Sequence, residues 1–80
     1  MAKQIGTVTH YYDRIGVAIV DLTGSLKVGD TIQISGSTEF TQSVDSLQRE
    51  HLQLDQAEKG DTVGLKVNQP VKPKDKGSLV

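Results

Sequence analysis

An all-β domain, in the form of a small closed barrel of about six strands, is the fold class that this sequence predicts. Short stretches rich in β-branched residues alternate with turns marked by Gly, Pro and Asp. No stretch has the apolar spacing of a long amphipathic helix. Because 80 residues suffice for one compact core, we expect a single β-barrel domain over residues 1–80. Its predicted core comprises Ile5, Val8, Ala18, Val20, Leu22, Ile32, Ile34, Val44, Val63 and Leu65.

The stretch 21–34 is central to this prediction because it joins two apolar strands, 16–22 and 30–35, through a tight loop. Gly24 and Gly29 are the loop positions at which the chain can take a positive φ. Leu26 and Val28 lie two residues apart, so we expect both to cover an open end of the core.

The first strand, residues 4–12, contains Ile5 and Val8 at positions of opposite parity, which predicts a bulge at Gly6. A short polar connection at 12–16 is typical of a hairpin, with Arg14 near its tip. In the strand that follows, both faces are apolar. Ala18, Val20 and Leu22 form one face and Val17 and Ile19 the other, and we expect one of the two to contact something besides the core.

The remaining segments are less regular. Residues 38–51 are predicted to form one long strand that bends near Asp45 or Ser46, although 44–54 also fits a helix through Val44, Leu47 and Leu54. Residues 52–61 are expected to be a loop, with one helical turn as an option, before a strand at 62–67. The segment 68–77, which holds both prolines, is predicted to be an exposed connection. Residues 78–80 would form the strand that closes the barrel.

Several pieces match one pattern in order: IGTV at 5–8, VAIV at 17–20, LKVGD at 26–30, SLQ at 46–48, AEKGDTVGL at 57–65 and KGSLV at 76–80. The chain resembles the second domain of translational GTPases of the elongation factor Tu type, and most of all the small free-standing proteins called translation elongation factor-like. This resemblance implies a closed six-stranded barrel with Greek-key connections. It also implies contacts near translation, with ribosomal RNA, tRNA or a translation factor. Related barrels also form the last domain of collagenase-like peptidases.

The phosphate loop and the base-reading motif of GTPases do not occur in the sequence, so we predict neither GTP binding nor any other cofactor. The sequence lacks Cys and any apolar run long enough for secretion or membrane spanning, which is typical of a cytoplasmic protein without a membrane partner. A formal net charge of −1 provides no overall field for nucleic acid, so RNA binding would need a local patch.

We predict no catalytic and no metal site. The sequence has no nucleophile elbow, and His10 and His51 without a third ligand make a weak metal pair. Carboxylates beside turns ordinarily accept backbone N–H bonds, and this interpretation suits Asp13, Asp30 and Asp61. The predicted structural turn residues are Gly24, Gly29, Asp30, Gly60 and Asp61.

The alternating lysines Lys72, Lys74 and Lys76 are the best candidates for an RNA contact, because such lysines on an extended segment can follow phosphates. The alternative is that these lysines, together with the prolines, guard a sheet edge against strand addition. Arg14, Lys27 and Lys59 would form a second basic rim if the barrel brings their turns to one end.

The leading functional hypothesis is a non-enzymatic, translation elongation factor-like module that binds RNA or a translation factor through its loops. A second hypothesis is a protein-interaction barrel that serves a separately encoded enzyme such as a collagenase-like peptidase. A third is a structural relic without a single ligand. Salt-dependent RNA affinity would favour the first hypothesis, and co-purification with one protein the second.

Overall fold

The computed structural model describes residues 3–37, 39–49 and 52–80, and all of its regular structure is β. Ten strands form among these residues. They are β1 (Lys3–Tyr12), β2 (Val17–Leu22), β3 (Leu26–Lys27), β4 (Thr31–Ser35), β5 (Phe40–Ser43), β6 (Leu47–Arg49), β7 (Leu52–Leu54), β8 (Gln56–Ala57), β9 (Thr62–Lys66) and β10 (Lys76–Leu79). The all-β prediction is confirmed for the described part of the chain.

Eight of the strands form one curled, antiparallel sheet, a half-barrel with the order β5-β4-β10-β1-β2-β9-β6-β7. The other two, β3 and β8, pair with each other through Leu26 and Ala57. Strand β10 lies between β4 and β1, so the late segment that was expected to close the sheet does pair on both sides. Within the described residues the edge strands β5 and β7 do not pair, and the closed six-stranded barrel stays a prediction.

The β1–β2 hairpin follows the sequence closely. Its connection spans residues 13–16, as expected, and Gly16 takes a φ of 66° while its N–H donates to the carbonyl of Tyr12. The register of β1 against β10 shifts between Gln4 and Gly6, which confirms the predicted bulge. A second shift, between Val8 and His10 against β2, was not predicted.

The core lies on the concave side of the curled sheet, where alternate strand residues point inward. All ten predicted core residues are buried, which confirms that prediction. Five further apolar residues complete the core: Leu26, Leu47, Ala57, Val67 and Val71. The expectation that Leu26 and Val28 cover the core together is half wrong, because Val28 is exposed.

Two segment predictions need correction. Residues 38–51 do not form one bent strand, since β5 pairs with β4 whereas β6 pairs with β9 and β7. The irregular residues 44–46 between them let the chain pass from one side of the sheet to the other. Residues 52–61 were expected to be a loop but contain β7 and β8. Neither segment forms a helix in its described part.

Gln42 links two strands that are not neighbours in the sheet. It is buried on edge strand β5, where its side-chain Nε2 donates to the carbonyl of Lys66 at 2.8 Å. The backbone N–H of Asn68 donates to Gln42 Oε1, also at 2.8 Å. The Gln42 amide therefore joins edge strand β5 to the end of β9, although these two strands share no ladder.

Three turns share one construction. In each, an Asp carboxylate accepts the N–H of the residue three positions earlier: Asp30 from Lys27, Asp61 from Glu58 and Asp75 from Lys72. The residue before each Asp has a positive φ: 99° at Gly29, 93° at Gly60 and 79° at Lys74. The predicted turn roles of Gly29, Asp30, Gly60 and Asp61 are thus visible as hydrogen bonds and dihedral angles. The prediction of a positive φ at Gly24 is wrong, since Gly24 instead approaches Ile5 closely, and among the described residues no turn bond of this type is found for Asp13.

Gly29 provides a direct test of the backbone requirement in these turns. A Cβ at this position would meet nothing within 4 Å, so only its φ of 99° opposes a side chain. We expect Gly29→Val to lower the free energy of unfolding by roughly 1 to 3 kcal/mol, because a β-branched residue rarely adopts that region. Gly29→Asn should cost less, since Asn tolerates left-handed backbone better. Urea denaturation of the three proteins measures both effects, and equal midpoints would disprove this role of Gly29.

Candidate functional site

The outer, convex face of strands β2, β9 and β6 carries an apolar groove. Its centre is a row of three paired residues, Ile19 on β2, Gly64 on β9 and Gln48 on β6. Alternation along β2 places Val17 beside Ile19 on this face, while Ala18 and Val20 point into the core. Of the two apolar faces of β2, the one that carries Val17 and Ile19 is therefore the outer face, and its contact with something besides the core stays a prediction.

Gly64 gives the groove its depth. A Cβ built at Gly64 would lie 3.2 Å from Val17 Cγ1 and 3.7 Å from Ile19 Cδ1. The missing side chain therefore leaves a notch that Val17 and Ile19 already partly fill, and even a Cβ at Gly64 would require Val17 to shift. Because the φ of Gly64 is not positive, this notch and not backbone strain distinguishes the position.

The β1–β2 hairpin forms one wall of the groove, where Ile15 and Tyr12 project from the fold. Ile15 is 63% exposed and Tyr12 is 47% exposed, although both are large and carry apolar surface. The opposite rim holds Arg49, whose Nη1 lies 3.2 Å from Oδ1 of Asp61. The groove has a volume of about 430 Å³.

The electrostatics of the groove are nearly balanced. Arg49 is the one cation among its lining residues, and its ion pair with Asp61 offsets that charge. Beside the groove, the Thr62 hydroxyl donates to Asp21 Oδ1 at 2.6 Å, so that carboxylate already has a partner within the sheet. Such a surface suits an uncharged apolar partner better than a phosphate backbone.

The lysine run takes a different shape from the one expected. Lys72 and Lys74 lie in a turn, whereas Lys76 begins strand β10, so the three do not follow one extended segment. All three are exposed, but Val71 and Asp75 are buried, so the prediction that 68–77 is an exposed connection is wrong for part of this segment. Contact of these lysines with RNA stays a prediction.

Asp75 holds this corner of the molecule together. Its carboxylate accepts the Ser37 N–H and hydroxyl, both at 2.9 Å, and the Lys72 N–H at 3.0 Å. Burial acts to raise the pKa of Asp75, but the hydrogen bonds from Ser37 and Lys72 outweigh it and hold the pKa below its ordinary value. This role of Asp75 was not predicted from the sequence.

The other three basic candidates do not form one rim. Arg14 lies in the hairpin that precedes Val17, at the start of β2. Leu22, at the far end of β2, exchanges backbone hydrogen bonds with Gly60 and Asp61, which places the neighbouring Lys59 at that opposite end. Lys27 lies at the same end as Lys59, since it pairs with Gln56 on β8.

The candidate metal pair is not described as a whole, because His51 lies outside the described residues. The ring of His10 stacks at a tilt beside Tyr12, with centroids 5.0 Å apart. Across residues 3–37, 39–49 and 52–80, no three His, Asp or Glu side chains group as metal ligands. Those residues also include no helix that is long and apolar enough to span a membrane.

The fold and the groove together define a small all-β domain that exposes an apolar surface on a curled sheet. Residues 17–72 match the family described as elongation factor Tu domain 2, and the chain belongs to that family. The resemblance deduced from the sequence is thereby confirmed.

Relatives of the whole chain are named as peptidases. It is 39% identical over 79 residues to an uncharacterized protease of Methanocaldococcus jannaschii, covering 96% of this chain and 19% of the relative. It is 33% identical over 75 residues to a collagenase of Porphyromonas gingivalis, covering 90% and 21%. The chain thus spans about a fifth of the length of these curated relatives.

A solved structure agrees with this likeness. The C-terminal domain of a Geobacillus thermoleovorans protein described as a U32 peptidase superposes with a TM-score of 0.91 at 26% identity, covering 98% of this chain and 92% of that domain. The hypothesis of a translation elongation factor-like function is therefore wrong, because the relatives are peptidase-family proteins. The barrel fold is common to both groups, and fold alone does not fix function.

Proposed function

We propose that this chain is a non-catalytic accessory domain of the U32 peptidase type, which binds the larger part of such a protein. The observation that carries the proposal is the difference in coverage: 96% of this chain matches only 19% of the M. jannaschii relative. Four-fifths of that relative lie outside the match. A domain that recurs beside so much additional protein commonly packs against it through a modest interface.

The buried polar side chains and those that line the groove support a non-catalytic role. The two buried polar side chains among the described residues, Gln42 and Asp75, form hydrogen bonds within the domain itself. The outer groove is open and apolar, and its one cation is paired. A catalytic centre would instead place a nucleophile, an acid or a base in such a recess.

The proposal extends to the architecture. We infer that the half-barrel represents the closed six-stranded Greek-key barrel of the family, with the Gln42 amide replacing strand pairing where β5 approaches the end of β9. The paired bonds from Gln42 to Lys66 and Asn68 support this interpretation.

A domain exchange tests the accessory role. In the P. gingivalis collagenase, the segment that matches this chain is replaced by the 80 residues, giving a hybrid protein. We expect the hybrid to hydrolyse gelatin within about ten-fold of the parent rate, because a docked domain need only present a compatible surface. The isolated chain should release no fragments from gelatin.

Two outcomes would contradict this function. Hydrolysis of gelatin by the isolated chain would make it an enzyme. A hybrid as inactive as the collagenase with its matching segment deleted would show that the chain does not serve as this accessory domain.

A further inference from the structure

The groove exposes large apolar side chains to water, and this exposure does not stabilise the isolated domain. Ile15, at 63% exposure, and Tyr12, at 47%, stand beside the notch at Gly64 and are continuous with Val17 and Ile19. Exposed apolar surface of this kind, bordered by polar residues, marks interaction sites. We infer that the outer face of β2, β9 and β6 is the surface that docks onto the larger part of a U32-type protein. This inference rests on the proposed function and adds the place and chemistry of the contact.

The position of the groove within the sheet excludes recognition by strand addition. Strands β2 and β9 have hydrogen-bonded neighbours on both sides, and β6 lies between β9 and β7. Their backbone groups are therefore already used in ladders, and a peptide could not extend the sheet here. The contact must form through side chains.

The chemistry of the lining specifies the partner surface. The floor is aliphatic, and Arg49, the cation among the described lining residues, is paired with Asp61, which disfavours both nucleic acid and an acidic peptide. The partner surface should be uncharged and apolar. It should contact Ile15 and Tyr12 beside Gly64, because Val17 Cγ1 and Ile19 Cδ1 already lie within 3.7 Å of the place that a Gly64 Cβ would take.

The occupant is the remaining four-fifths of the relatives and not a second copy of this chain. The matching segments of 75 to 79 residues lie within much longer polypeptides, of which they make up 21% and 19%, so each relative supplies a large tethered partner for the groove. An interface within one chain needs less buried area than a dimer formed in solution, because the two parts are tethered.

Hydroxyl-radical labelling of the collagenase hybrid, compared with the isolated chain, tests this surface. We expect the labelling rates of Tyr12 and Ile15 to fall about five-fold or more in the hybrid, because the centre of an interface excludes water. Val28, which is also apolar and exposed but lies in the turn after β3, should change by less than about two-fold and serves as the internal control.

Substitutions in the hybrid separate docking from folding. Ile15→Gln, at an exposed position, and Gly64→Val, whose side chain would displace Val17 in the groove, should return the labelling rate of Tyr12 to that of the isolated chain. Val28→Gln, the matched control, should leave it low. If Gly64→Val does not fold by circular dichroism, Ile15→Gln decides alone.

The activity and the labelling of the hybrid together distinguish failure of the docking surface from failure of the accessory function. An active hybrid with unprotected Tyr12 and Ile15 would overturn the docking surface and leave the accessory function standing. An inactive hybrid would overturn the accessory function, and the docking surface with it. Concentration-dependent dimerisation of the isolated chain, with protection of Tyr12 in the dimer, would assign the groove to a second copy and overturn the inference.

Discussion

Replacing Asp75 with Ala should lower the free energy of unfolding by roughly 3 to 4 kcal/mol. The carboxylate is buried, with 3% of the residue exposed, and it accepts three hydrogen bonds from Ser37 and Lys72. Hydrogen bonds to a charged group contribute about 1.5 to 3 kcal/mol each, and unpaired buried donors add a desolvation cost. Water reaching the cavity would recover part of that loss. Urea denaturation measures the effect.

The matched control is Asp30→Ala, which removes the same type of turn bond at a half-buried position. Its expected cost is about 1 kcal/mol. Equal losses at the two positions would contradict the importance of burial and of the distant contact with Ser37.

The effect of Asp75 should also depend on pH. The folded state holds the pKa of Asp75 below its ordinary value, so the carboxylate stabilises the fold above the pKa of the unfolded chain. This contribution is lost as the pH falls through the lower, folded-state pKa. The stability difference between the natural chain and Asp75→Asn should therefore be full near neutrality and shrink below about pH 4. A difference that grows in acid would show the opposite sign of linkage.

Replacing Gln42 with Leu should lower the free energy of unfolding by roughly 2 to 4 kcal/mol. Leu keeps most of the volume but leaves the Lys66 carbonyl and the Asn68 N–H without their partners. Each unpaired buried group costs about 1 to 3 kcal/mol. Thermal and urea unfolding of the variant measure the loss.

Gln33→Leu is the control for this substitution. Gln33 lies on the neighbouring strand β4 and its side chain donates to Glu39 in an exposed bond. We expect a change within about 0.5 kcal/mol, as at most surface positions. If the two Leu variants lose the same amount of stability, the bonds of Gln42 to Lys66 and Asn68 stabilise the fold no more than an exposed bond does.

Much of the fold could be predicted because the patterns that indicate it lie among residues close together in the sequence. Alternation of apolar residues identified the core positions of β2, β4 and β9, and Gly29 marked its turn by the conformation that only Gly takes easily. The failures concern non-local contacts. The change in apolar alternation at 44–46 is compatible with a bulge within one strand or with a break between two strands. Only the strands that pair with β5 and β6 decide between these possibilities. The role of Asp75 was not predicted, because its partner Ser37 lies 38 positions away.

The site was predicted only in part for the same reason. The apolar outer face of Val17 and Ile19 was evident within one strand. Gly64 and Gln48 come from two other strands, and no spacing in the sequence places them in a row with Ile19. The functional hypothesis failed differently, since glycines and core residues identify a barrel that translation factors and peptidase-family proteins both contain.

The central place of β10 bears on how the molecule assembles during synthesis. The β4–β5 hairpin and the β1–β2 pair share no ladder with each other, because β10 separates β4 from β1. On the ribosome both pairs emerge before residues 76–79 do. The sheet is therefore completed by the insertion of a late segment into its middle, and until then two unpaired edges, on β4 and on β1, are open to wrong partners.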